Sequence, residues 1–204
     1  MNIKEIYVLN RALDGEDIPF MPSFKTLGIS DLVASAIKDG MITRGLLESY
    51  DEFTEDGLRI TDRIRRYKEA EKHVKIDNLL LGIVDEGQSI LILWNPLLEE
   101  YSVRVVDSTM GAQQVAEGYG FLAEESDAAA DSEESLGYDE FTERFTLDLD
   151  NSFELSAESG GTVSKEIFFR ADGQLYVYDC DAQILYSKSR ENILSVLEER
   201  MSLS

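Results

Sequence analysis

Leu79-Leu80-Leu81-Gly82-Ile83-Val84-Asp85-Glu86-Gly87-Gln88-Ser89-Ile90-Leu91-Ile92-Leu93-Trp94 decides the fold class of this 204-residue chain. Two strand-sized apolar runs flank four residues of turn chemistry, so Asp85–Gln88 reads as a short hairpin connection. Both runs are nearly continuous in apolar residues. Both faces of each strand are therefore expected to be covered, which places the pair centrally in a sheet. Tyr101–Asp107 is expected as a third strand, with Tyr101, Val103 and Val105 on one face and Arg104 on the other.

Upstream of this hairpin the pattern is helical. Lys4–Leu13 places Ile6, Tyr7, Leu9 and Leu13 near helical spacing, with a strand as the alternative, and Asp14-Gly15 stops it. Pro19 and Pro22 make 18–22 a loop. Ser30 is placed to cap a helix with Asp31 in its first turn. Leu32, Val33, Ala36 and Ile37 are its expected buried stripe, and Gly40 its expected left-handed end. Thr54 caps a second helix whose Ile60, Ile64, Tyr67 and Val74 share a face, carrying it to about residue 74. Thr109–Tyr119 has weaker helical spacing.

Downstream, the extended pattern returns at Phe145–Leu149 and Phe153–Ser156, and Gly160-Gly161 breaks it. Glu166–Arg170 and Gln174–Tyr178 flank Ala171-Asp172-Gly173, a strong hairpin signal. Ile184–Tyr186 is a further strand. Ser189 caps a terminal helix with Ile193, Val196, Leu197 and Met201 inward. Strands then a helix, twice over, suggests a diverged internal repeat.

Charge excludes several function classes. The chain has 19 Lys plus Arg against 41 Asp plus Glu, a formal net charge of -22. General binding to nucleic acid requires Lys and Arg to neutralise phosphates, and adsorption to anionic lipid needs the same sign. The longest apolar stretches fall far short of the roughly 20 residues of a spanning helix, and no secretory signal is visible. The single cysteine, Cys180, fits a reducing cytoplasm. Half of the excess charge lies in Glu124–Glu154, where Arg144 is the one base. Its first part, Glu124–Ser135, is expected to be a flexible acidic loop.

The usual catalytic sets are missing from the sequence. The one histidine, His73, is expected near the end of a cationic helix, where its protonation is disfavoured. Cys180 lies between Asp179 and Asp181, which raise a thiol pKa. One Cys and one His cannot make a protein-only zinc site. Asp148-Leu149-Asp150-Asn151-Ser152 begins like a calcium loop, but Phe153 stands where the turn needs glycine and Ser159 where the bidentate glutamate belongs. An alternating strand with Asp148 and Asp150 in solvent accounts for it better. No phosphate-binding glycine loop is present. The expectation is a non-enzyme, with no catalytic, cofactor-binding or metal residues.

One basic concentration stands out: Arg59, Arg63, Arg65, Arg66, Lys68, Lys72 and Lys75. A helix, a turn, a basic helix and a hairpin outline a winged-helix DNA-binding regulator using Arg63, Arg66 and Lys72. Against it stand the acidic first turn (Glu55, Asp56), the apolar hairpin and the acidity of the rest.

In order along the chain, the segments resemble a known family. Ile3-Lys4-Glu5-Ile6-Tyr7-Val8-Leu9-Asn10-Arg11-Ala12-Leu13 with Ile18-Pro19 is similar to the opening of the EspG-type chaperones of type VII secretion. Gly40–Ile42, the long helix, Leu79–Val84 and Tyr101–Val106 follow their order. So do Ile167-Phe168-Phe169, Gln174–Tyr178, Ile184-Leu185-Tyr186 and a last helix with Ile193, Leu194 and Leu197. An uncharacterised family encoded in type VII loci of low-GC Gram-positive bacteria is closer still. The resemblance covers 1–121 and 160–204 and is one of pattern and order. Two departures are the short Asp85–Gln88 connection and Glu124–Ser135, which replaces much of the middle.

The resemblance implies a central, mostly antiparallel sheet flanked by helical subdomains in a quasi-two-fold arrangement. It also implies a non-catalytic cytoplasmic chaperone that binds helical WXG- or LXG-type secretion substrates. The expectation is therefore one α+β domain over 1–204, with a first half at 1–121, an acidic loop at 124–135 and a second half at 145–204. Expected partner contacts are Leu136, Tyr138 and Phe141 after the acidic loop and Ile193 and Leu197 on the last helix, residues that a core explains equally well. The alternative readings are an acidic immunity protein against a secreted cationic toxin and the DNA-binding regulator.

Overall fold

In the computed structural model, which describes residues 1–107, 111–123 and 131–202, both halves of the chain contribute to one sheet. Its nine strands run β6-β5-β4-β3-β8-β9-β10-β11-β7, and every neighbouring pair is antiparallel. The first meander is β3 (Lys72–Ile76), β4 (Leu79–Ile83), β5 (Gln88–Asn95) and β6 (Glu100–Asp107). The second is β8 (Ser152–Ser159), β9 (Thr162–Ala171), β10 (Gln174–Asp179) and β11 (Ile184–Lys188). They meet at β3 and β8, where Val74 faces Ala157. The strand order is symmetric about this seam, with β3 answering β8, β4 β9, β5 β10 and β6 β11.

The α+β expectation holds. The hairpin that decided it is central: four of the five residues of β4 are buried. Alternation sorts the side chains into layers. Val74, Ile76, Leu81 and Ile83 join Phe153, Leu155, Phe168 and Val177 on one face. That face is covered by α4 (Gly111–Gly118), α5 (Gly120–Ala123) and α7 (Arg190–Arg200). On the other face, Leu80, Ile90, Ile92 and Val103 pack under α1 (Ile3–Arg11) and α3 (Glu55–Lys68). Phe169, Tyr178 and Leu185 pack under α6 (Tyr138–Arg144).

Local chemistry explains the helix starts. Asn2 and Glu5 form a reciprocal capping box on α1. Glu5 is buried and its carboxylate also pairs with Arg44, so its charge is not left unpartnered. Thr54 Oγ1 accepts from Gly57 N at 3.1 Å, and Ser189 Oγ from Asn192 N at 3.2 Å. Two glycines allow α3 its close seat. A Cβ on Gly82 would stand 2.8 Å from the Tyr67 ring, and one on Gly57 would stand 2.0 Å from the Leu46 carbonyl oxygen. Asp172 and Gly173 both have positive φ, as the Asp-Gly hairpin requires.

Several boundaries differ from the sequence expectation. The basic helix ends at Lys68, and 72–76 is strand β3, so Val74, His73, Lys72 and Lys75 leave the helix. The positive φ of Asp77 makes the turn that starts the sheet one strand earlier than expected. Gly40 lies inside α2 (Asp31–Thr43), and the left-handed residue is Gly45. Phe145–Leu149 is not a strand. Asp148 Oδ1 accepts from Asp150 N and Asn151 N at 2.9 and 3.0 Å, a side-chain-closed turn ahead of β8.

The acidic loop is corrected in its second part. Ser132–Ser135 forms β7, antiparallel to β11, with all four residues exposed. A strand at a sheet edge can be wholly polar, because its backbone bonds alone hold it. Residues 124–130, and 108–110 at the start of the weaker helix, lie outside the described residues.

Candidate partner-binding surface

Helix α2 behaves unlike the others. Its C-terminal part is anchored, with Met41 fully buried against the α1 side of the core. Its N-terminal turns are not. Leu32 is 82% exposed and Val33 38%, and Ala36 is also exposed. The expected buried stripe is thus mostly a solvent-facing one, and only Ile37 of the four packs on the core. Spacing shows that a stripe exists but not whether the chain itself covers it.

The ribbon β1 (Leu47–Ser49) and β2 (Glu52–Phe53) follows α2, and α2 packs against both β1 and α1. Lys38 Nζ donates to the Tyr50 carbonyl at 2.8 Å, and the Tyr50 hydroxyl donates to Asp39. That hydrogen bond holds the Tyr50 phenol pKa above its ordinary value. Between α1, α2 and the ribbon lies a cleft of about 430 Å³ with Val8, Ala34, Leu47 and Phe53 in its lining and Arg11 and Asp51 among its charges. The α2 residues in that lining are Asp31, Ala34, Ser35 and Lys38, so the exposed Leu32 and Val33 form a separate apolar ridge, of the kind that can take up an apolar helix.

A second exposed apolar spot is the turn between β5 and β6. Leu97 is 92% and Leu98 66% exposed. Asn95 Oδ1 accepts from both of their backbone N–H groups, at 3.0 and 3.2 Å, and Glu99 takes a positive φ. The turn is therefore fixed while its leucines stand in water. Leu-Leu directly after Asn-Pro was the sequence signal for it.

Four of the five partner contacts expected from the sequence are core residues. Leu136 and Phe141 are 1% exposed, and Ile193 and Leu197 are fully buried. Phe141 stacks on Tyr178 with centroids 4.0 Å apart, and Ile193 and Leu197 sit between α7 and the sheet. Tyr138, at 52%, is the one of the five that reaches solvent.

The three basic residues considered for DNA do not form one surface. Arg63 Nη1 donates to Val103 O at 3.0 Å, and Arg66 Nη2 to Gln88 Oε1 at 2.9 Å. Lys72 instead donates to Glu199 O and Ser202 O beyond the opposite face, where it satisfies the C-terminal carbonyls of α7.

His73 is buried on β3, with Nε2 at 2.7 Å from Tyr67 O. Burial, rather than neighbouring cations, lowers its pKa. The Cys180 thiol is pushed up to about 11, mainly by burial, with Glu154, Asp181 and Asp179 adding to the rise and Lys165 opposing it. It stays protonated at neutral pH. Among the described residues no cluster of three His, Cys, Asp or Glu side chains could hold a metal ion, and no helix is long and apolar enough to cross a membrane.

Helices on both faces of a two-meander antiparallel sheet define an α+β protein. The model of a domain of unknown function, DUF5081, matches residues 1–204, and the chain belongs to that family. A comparison with curated proteins finds no match.

Proposed function

We propose that this protein is a non-catalytic cytoplasmic adaptor or chaperone that binds helical substrates of type VII secretion. The observation that carries the reading is the apolar ridge of α2, Leu32 and Val33, standing in solvent on a helix face other than the one that lines the α1–α2 cleft. The substrate class comes from the resemblance to the EspG-type chaperones, and the two-meander sheet with helices on both faces agrees with the architecture that resemblance implies. In this reading α2 lends its ridge to an apolar helix of the substrate and shields it from water. Covering Leu32, 82% exposed, supplies up to about 1.5–3 kcal/mol, and covering the already half-buried Val33 supplies less.

The test is a tagged pull-down from native cytosol in low and high salt, repeated with Leu32→Glu/Val33→Glu. Recovery of a small helical secretion substrate that survives high salt, and that falls by about tenfold or more in the double variant, is the expected result. Recovery of a basic toxin that is lost at high salt replaces this reading with the immunity one. Substrate capture unchanged in the double variant removes α2 as the surface.

A further inference from the structure

Strand β6 is an outer edge of the sheet, and its free side is partly used already. Met1 N donates to Tyr101 O, and Tyr101 N donates back to Met1 O. Tyr101 therefore turns both backbone groups outward, and alternation turns those of Val103 and Val105 outward with it. Val103 O accepts from Arg63. Among the described residues nothing pairs with the N–H of Val103 or with either outward group of Val105.

The groove along this edge has its own chemistry. It lies between α3 and β6 and is lined by Leu58, Val105, Arg59, Arg63 and Arg66, with Glu55 and Asp62. Leu58 is 55% and Val105 41% exposed. Arg59 pairs with Asp56. Arg63 and Arg66 bond to a backbone carbonyl and a carboxamide, and among the described residues no carboxylate comes within ion-pair distance of either. The chain carries 41 carboxylates, so two guanidinium groups on neutral acceptors beside an open strand edge mark where a carboxylate from outside would be held.

We infer that the edge of β6 is a strand-addition site for an extended peptide that carries an acidic and an apolar residue two positions apart, and so on the same face. The peptide main chain bonds to Val103 and Val105. Its side chains on the α3 side place an apolar group on Leu58 and Val105 and a carboxylate at Arg63 and Arg66. This site stands apart from the α2 ridge, so it is tested separately from the substrate-helix reading.

The probe is a blocked, fluorescein-labelled peptide of repeating Glu-Thr-Val-Thr, which sets Glu and Val in turn on one face, compared with its Lys-for-Glu counterpart and a short DNA duplex. The Glu peptide is expected to bind with an affinity that falls as salt rises, and to slow hydrogen exchange at the Val105 amide. Val105→Pro removes the outward N–H from an edge strand, where proline is tolerated. That variant and Arg63→Glu/Arg66→Glu are each expected to weaken binding by about tenfold. The exchange measurement uses the unaltered protein, so it does not depend on either variant folding. Absence of binding, unchanged exchange at Val105, or full binding by the charge-reversed variant overturns the inference. Displacement of the peptide by the duplex makes the groove a nucleic-acid surface instead.

Discussion

The two meanders follow the same path but are capped very differently on the face they share with α3 and α6. Over the first lies α3, fourteen residues long, started by the Thr54 side chain and seated through Gly57, Thr61, Ile64 and Tyr67, with α1 beside it. Over the second lies α6, seven residues long, with Gly137 at its N-cap, no side-chain cap, and Phe141 as its one buried residue. A seven-residue helix is not stable by propensity. It persists because one ring is locked among others: Phe141 lies on Tyr178 at 5° between ring planes and edge-on to Phe169, and Phe145 packs on Phe169 and Tyr176. The Tyr178 hydroxyl, buried with them, donates to Leu136 O at 2.9 Å and ties the start of the cap to the sheet. One half distributes its anchorage over four turns; the other concentrates it in a single side chain.

The largest effect comes from removing that side chain. Phe141→Ala is expected to cost about 3–5 kcal/mol and to abolish hydrogen-exchange protection across Tyr138–Arg144. Ile64→Ala in the first cap, also a fully buried position, is expected to cost about 2–5 kcal/mol. Exchange over α3 should nonetheless stay protected, because Tyr67 and Gly57 still hold the helix. Protection of α6 that survives Phe141→Ala would break the comparison.

A smaller effect sharpens it from the first half. Gly82 lets Tyr67 and Ala70 come down onto β4, and an added methyl meets the Tyr67 ring, the Tyr67 carbonyl and the Ala70 methyl at once. Gly82→Ala is expected to cost about 1–3 kcal/mol by overpacking. In thermal unfolding this would appear as a lowered midpoint with α6 exchange unchanged in native conditions. An unaltered midpoint would mean that α3 rides up without penalty, and that its seat is looser than four buried positions imply.

This difference between the caps also marks how much was legible in the sequence. The central hairpin, the Asp-Gly turn and the Ser30, Thr54 and Ser189 caps follow from local rules, and each is present. Strand β3 was hidden because Lys72-His73-Val74-Lys75 continues the charge of α3, and Val74 extends its helical spacing by accident. Helix α6 was hidden because one ring makes no periodic pattern. The candidate surface was misplaced for a related reason. Leu136, Phe141, Ile193 and Leu197 are apolar in the right places for contact or for core, and only the closure of the sheet assigns them to core. Helical spacing alone puts Leu32 and Val33 on an inward stripe. They stand in solvent, while Ile37 and Met41 of the same helix face the core.

The smallest expected effect separates the caps by pH. His73 lies under the C-terminal turn of α3, its ring 4.9 Å from that of Tyr67 and its Nε2 on the Tyr67 carbonyl, with Glu158 opposite it on β8. Burial holds its pKa below the ordinary 6.5, although the carbonyl bond and Glu158 pull the other way. The folded state therefore binds this proton less tightly than the unfolded chain does. Well above pH 6.5 both states are neutral at His73 and nothing is lost. As pH falls below 6.5 the unfolded chain takes up the proton first, so stability declines. The contacts under α6 are rings and a phenol that do not titrate in this range. Denaturant unfolding between about pH 7.5 and 5.5 should therefore show a loss that His73→Gln, which keeps a donor for the Tyr67 carbonyl, largely removes. Exchange should quicken in α3 before α6. Parallel curves for the two proteins would mean that the loss arises among the carboxylates, and that α3 is no more proton-sensitive than the short helix across the seam.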